Sequence, residues 1–171
     1  MKKFIWLWWV LPLLTFSQCK FTSNKAIRYN NKVIRYQKNI NNEISSFFKV
    51  LEKSASSSAD SAKVVPAYDA LVKKVNNQLD STRQLKPLEK DSTFKAAAVE
   101  LFEFYQKIVQ EDYARLVPLV MQKTVTQEEQ NLIKSTMDRI KNEENKPYQK
   151  FKKAQLAFAK KFGFDKQISA Q

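Results

Sequence analysis

An all-α, four-helix bundle is the fold class this sequence predicts, and three observations predict it. Glycine occurs once in 171 residues, at Gly163, and proline five times. Turns with positive φ lean on glycine, so a β-rich fold of many tight hairpins is excluded. An α/β nucleotide fold is excluded with it, because its phosphate-binding loops need glycines that are absent. Apolar residues also recur at three- and four-residue spacing over long stretches, separated by polar or proline-bearing segments. Long helices joined by short connections give an up-down-up-down arrangement as the expectation, preceded by a cleaved signal peptide.

The leader comes first. Lys2 and Lys3 form a positive start, and Phe4 to Leu14 follows as an uncharged apolar run. That run falls well short of the roughly 20 residues a helix needs to cross hydrocarbon. A charged start, a short apolar core and small polar residues read as a secretory signal covering residues 1–18. Cys19 is the only cysteine, so an intramolecular disulfide is impossible. An unpaired thiol in an oxidising compartment is prone to oxidation or cross-linking, whereas acylation gives it a use. Phe16-Ser17-Gln18-Cys19 resembles a bacterial lipobox in which Ser17 fits and Phe16 and Gln18 depart from the pattern. The rival reading is an ordinary cut after Thr15-Phe16-Ser17, leaving Gln18 as the first residue.

Residues 19–171 are expected to form one helical domain, 153 residues being enough for a single core. Losing Lys2 and Lys3 leaves 28 basic side chains against 17 acidic ones, a net charge of +11. The first helix is expected from an N-cap near Ser23 to about Ser54. Ala26, Val33, Ile40 and Phe47 fall seven apart, and Asn30, Gln37, Ile44 and Leu51 fill a second track. The serine-rich stretch to Ser61 reads as a flexible loop. A second helix, about Ser61 to Gln84, puts Val65, Tyr68, Val72, Val75 and Leu79 on one face, with Pro66 tolerated early.

Lys86-Pro87 closes that region, because the residue before proline avoids the helical basin. Asp91 or Ser92 caps a third helix whose inner face is Phe94, Ala98, Leu101, Tyr105 and Ile108. It is expected to run to Lys123, kinked near Pro118. Thr126-Gln-Glu-Glu129 is a capping box that opens the fourth helix. Ile133, Met137, Ile140, Tyr148, Phe151, Phe158 and Phe162 hold one phase through Pro147, so that proline bends the helix without ending it. Gly163 is a C′ stop.

Catalytic chemistry is sparse. The chain has no histidine, which removes the usual general base and the commonest metal ligand. Zinc sites built on Cys and His, and di-iron sites built on Glu-x-x-His, are therefore impossible. No Ser-x-x-Lys constellation stands out, and Lys134 and Ser135 are neighbours on an exposed face. Glu100, Glu103, Glu111 and Asp112 share one helix. Their oxygens suit a hard cation, but ion pairs with Lys107 and Arg115 at helical spacing are the simpler use. No metal, no cofactor and no enzymatic activity are expected.

Two places deserve a functional reading. Asn30 and Gln37 interrupt an apolar track beside Tyr29, Val33 and Tyr36. They serve either as register-fixing core amides or as the floor of a tyrosine-lined pocket. Near the C-terminus, Lys150, Lys152, Lys153, Lys160 and Lys161 are interleaved with Phe151, Phe158 and Phe162. They make either a basic amphipathic surface for anionic lipid or polymer, or the outer face of a core helix. Beyond charge, nucleic-acid recognition has no motif here, and export argues against such a partner.

The string Ala26 to Ile40, with Tyr29-Asn30 followed by Gln37, resembles the opening of the spirochaete-type surface-protein family, bacterial surface lipoproteins with no assigned activity. Ala154-Gln155 and Phe158-Ala159 match an Ala-Gln-x-x-Phe-Ala segment near the end of its members. Phe102-x-Phe-Tyr105 and Thr126 to Glu129 are similar as well. The resemblance implies an exported helical protein at the envelope, held at the outer membrane or cell surface. Two functions of different class follow. One is a lipid-anchored, non-enzymatic interaction or scaffold module for a protein partner. The other is a basic protein binding polyanions or lipid surfaces through its charge.

Overall fold

A computed structural model describes residues 15–56, 62–89, 91–122 and 124–168. Most of the expected leader lies outside the described residues. So do the side chain of Cys19, the loop at 57–61 with Ser61, and Lys123, the expected end of the third helix. Among the described residues the chain is helical nearly throughout, without a strand. Its sole β-type pairing there is an isolated bridge between Leu88 and Asp91.

Helix α1 spans Thr15–Ser56, a length of about 63 Å for its 42 residues. It starts before the expected cap at Ser23, since nothing between Thr15 and Ser23 is a glycine or proline that would break it. The seven-residue track is borne out: Ala26, Val33, Ile40 and Phe47 are buried. On the companion track Asn30 is buried, while Gln37, Ile44 and Leu51 are half-buried.

Helix α2 covers Val64–Arg83 and buries Val64, Leu71, Val75, Leu79 and Thr82. Val65, expected inside, is 44% exposed, and Tyr68 and Val72 flank the buried stripe. The alternating spacing from Val64 through Tyr68, Leu71 and Val75 selects Val64 as the first inward position; Val65 lies one residue, 100°, away.

A tight corner follows, with Glu89 at φ 47° and the Asp91 amide donating to the Leu88 carbonyl at 2.8 Å. Ser92 holds the cap position of α3, Thr93–Lys107, without a side-chain bond; Asp91 Oδ1 instead accepts from the Thr93 amide at 3.1 Å. The expected inner face from Phe94 to Ile108 is buried, together with Ala97 and Phe102. The α-helix then does not continue smoothly. A π-helical turn spans Ile108–Tyr113 before α4, Ala114–Val120, which contains Pro118.

Helix α5, Gln127–Lys161, opens on the expected capping box. The Glu129 amide donates to Thr126 Oγ1 at 3.2 Å, and the Thr126 amide donates back to Glu129 Oε2 at 2.8 Å. That donation holds the Glu129 carboxyl below the usual range. The helix runs unbroken through Pro147 and stops at Gly163, whose φ is 74°. The Gly163 amide donates to the Lys160 carbonyl and the Phe164 amide to Ala159, a Schellman motif. Phe164 packs back on Phe158, and a short α6, Asp165–Ile168, follows.

Cross-helix pairs record how the helices lie. Along α1 and α2 they are Asn39 with Gln78, Glu43 with Lys74 and Phe47 with Tyr68. On α3 and α5 they are Phe94 with Phe158, Glu100 with Lys150 and Tyr105 with Glu144. In each set residue numbers fall on one helix as they rise on the other. The aromatic centre of the core is Phe94, packed against Phe151 and Phe158 at ring distances of 5.5 and 5.2 Å.

Candidate functional site

The amide of Asn30 has its partner on the far side of the sequence. Gln155 Nε2 donates to Asn30 Oδ1 at 3.0 Å in a fully buried contact, and Asn30 Nδ2 donates to Asn31 Oδ1 at 3.2 Å. Tyr29 sits beside this pair, its ring 5.6 Å from Phe158 and 6.4 Å from Phe94. Its hydroxyl is buried without a hydrogen-bond partner among the described residues. Burial, with a smaller contribution from Asp91, pushes that phenol above its ordinary pKa. Tyr36 and Gln37 are half-buried further along α1. The four residues singled out together therefore divide: Tyr29 and Asn30 join the core contact with α5, and Tyr36 and Gln37 do not. Tyr29-Asn30 and Gln155-x-x-Phe158, the two ends of the sequence pattern noted above, meet here.

The C-terminal lysines divide as well. Phe151, Phe158 and Phe162 are core, and all five lysines are exposed. Lys150 pairs with Glu100, and Lys161 pairs with Asp91 at 3.1 Å while lying over the Phe162 ring. Lys160 and Lys161 border a shallow hollow with Thr22, Ser23 and Glu89, which brings the end of α5 beside the start of α1.

The acidic residues of the third helical segment do not pair along their own helix with Lys107 and Arg115. Glu100 reaches Lys150 on α5, Glu103 reaches Arg83 on α2 at 2.8 Å, and Asp112 reaches Arg139 on α5 at 2.5 Å. These three carboxylates reach a neighbouring helix, so for them a cross-helix cation is closer than one a turn away; Glu111 is exposed. Among the described residues no three metal-ligating side chains converge.

A concave site that the sequence reading did not find lies about three helical turns along α1 and α5 from the Asn30–Gln155 contact. Residues of α1 and α5 face each other there across a cleft of about 310 Å³. Asn41, Ile44 and Ser45 of α1 form one wall and Ile140 and Glu144 of α5 the other. Tyr105 of α3 with Ile108, Val109 and Tyr113 of the π-helical turn forms the floor. π-helical turns re-aim side chains and recur at functional sites. Here the Tyr68 hydroxyl braces the turn from α2, donating to the Val109 carbonyl at 3.0 Å. The Tyr105 hydroxyl donates to Glu144 Oε1 at 2.7 Å. Burial first, and Glu144 second, hold both the Tyr105 and Tyr113 phenols far above the ordinary range, so both stay neutral.

No protein-family model matches this chain, and no significant match exists among curated proteins or solved structures.

Proposed function

We propose that this chain is an exported lipoprotein of the bacterial envelope, anchored at Cys19. In this reading residues 1–18 are removed, and residues 19–171 form one up-down-up-down bundle that acts as a non-enzymatic interaction or scaffold module. The observation that carries it is the order of the first residues: Lys2-Lys3, an uncharged apolar run, then the chain's only cysteine. The geometry fits such a tether, because α1 passes through position 19 and, among the residues whose burial is described, Thr22 to Lys25 precede its first buried residue at Ala26. A bundle attached in that way would stand close to the membrane, held by a multi-chain lipid anchor that binds stably. Among the described residues no helix is long and apolar enough to cross a membrane. The absence of histidine and the use of most inward carboxylates in ion pairs support a non-enzymatic role.

The deciding experiment is the intact mass of the protein purified in detergent from its native host. Expected is residues 19–171 plus a diacylglycerol-sized or larger adduct on Cys19. An unmodified chain beginning at Gln18 would overturn the anchor and leave a soluble secreted protein. A second reading, charge-driven binding to an anionic surface, is favoured by one observation: Lys160 and Lys161 lie beside Thr22 and Ser23, next to the proposed anchor. Salt separates the two readings, since association through exposed charge weakens steeply as ionic strength rises and a hydrophobic interface responds far less.

A further inference from the structure

We propose that the cleft between α1 and α5 is a binding site for a small organic cation, an alkylammonium or alkylguanidinium. The proposal is independent of the anchor. It begins with Glu144. Among the other buried or half-buried carboxylates, Glu43, Asp91, Glu100 and Asp112 each pair with a basic side chain, and Glu129 caps α5. Glu144 is half-buried in a cleft wall, and its sole hydrogen-bond partner among the described residues is the neutral Tyr105 hydroxyl. In a chain with such an excess of cations, a half-buried carboxylate that forms no ion pair among the described residues is available to a cation from outside.

The surroundings define the rest of the ligand. Tyr105 and Tyr113 remain protonated, so the site carries the single negative charge of Glu144. Both tyrosines are buried, Tyr113 stacked against Phe47, so they border the carboxylate as low-dielectric walls that strengthen its attraction for a cation. Ile44, Ile108 and Ile140 offer an apolar lining for an alkyl chain, and Asn41 adds an amide at the edge. A volume near 310 Å³ is room for about ten water molecules, the scale of a ligand with roughly that many non-hydrogen atoms. Preformed clefts of this size, mostly apolar with a few converging polar groups, are typical of small-molecule sites.

The test is isothermal titration of the detergent-purified protein with n-hexylammonium, and with 1-hexanol as the neutral counterpart. Expected is saturable 1:1 binding of the amine in the millimolar range or tighter. The alcohol should bind at least about tenfold more weakly, and Glu144→Gln should weaken the amine by a similar factor. Glu144→Gln keeps an acceptor for Tyr105, and its helical circular dichroism should match the parent. If it fails to fold, Ser45→Trp at the exposed mouth of the cleft supplies the same test by obstruction. The proposal is overturned by no saturation up to about 10 mM, by equal binding of amine and alcohol, or by amine binding that neither substitution weakens.

Discussion

Asn30 and Gln155 each bring an amide into a mostly aliphatic and aromatic core, and Gln155 Nε2 donates to Asn30 Oδ1 at 3.0 Å. A buried amide left without its partner costs about 1–3 kcal/mol, more than the hydrogen bond contributes when intact. Asn30→Leu should therefore destabilise the protein by about that amount, because Gln155 loses its acceptor. Asn30→Leu with Gln155→Met should recover much of the loss, since two apolar side chains of similar shape need no partner. Urea unfolding of the two variants and the parent measures both effects; a double variant no more stable than Asn30→Leu would show that the pair is not coupled. Asn30 was readable as a polar interruption of an apolar track. Gln155, 125 residues away, was not readable as its partner, because nothing local marks which helix a core amide will meet. Gln37 carries the same signal as Asn30 and yet is only half-buried.

At the scale of elements, the two ends of α5 and the passage of that helix through Pro147 were the most legible features, whereas the start of α1 was not. The Thr126–Glu129 box and the Gly163 stop are local, written in side chains within a few residues of the terminus they make. Gly163 shows why its identity matters. A Cβ there would meet nothing within 4 Å, so the cost of a substitution comes from the backbone alone. L-residues pay about 1–2 kcal/mol to hold the left-handed conformation. Gly163→Ala should lower the thermal midpoint by the equivalent of about 1 kcal/mol without altering the helical spectrum. An unchanged midpoint would mean that the Phe164–Phe158 closure is not limiting. The π-helical turn was not legible. Ile108, Val109 and Tyr113 continue an apolar stripe that an ordinary α-helix also explains, and one extra residue per turn leaves no compositional mark. Its consequence was lost with it, because that turn supplies most of the floor of the cleft.

At the scale of the molecule, scarcity of glycine and sustained helical period were enough to predict the class of fold. The cleft was beyond reach because its charged and aromatic members come from α3, the π-helical turn and α5, and converge only on packing. The same convergence ties stability to alkaline pH. Burial raises the phenols of Tyr29, Tyr68, Tyr105 and Tyr113. In the unfolded chain a tyrosine ionises near about pH 10. Below that value both states hold the proton, and the folded state keeps the full benefit of a neutral buried phenol. As pH rises past about 10, the unfolded chain releases protons that the fold retains, so stability falls until the folded phenols ionise too. For the deeply buried Tyr105 and Tyr113 the slope rises toward a limit of about 1.4 kcal/mol per pH unit each as pH passes above about 10. Tyr113 isolates the effect, since it lines the cleft with Tyr105 without serving the Glu144 bond. Unfolding free energies from urea titrations at pH 9, 10 and 11 should fall for the parent, and fall less steeply for Tyr113→Phe. Parallel pH profiles would instead mean that Tyr113 releases its proton as readily folded as unfolded, and that the floor of the cleft is open to water.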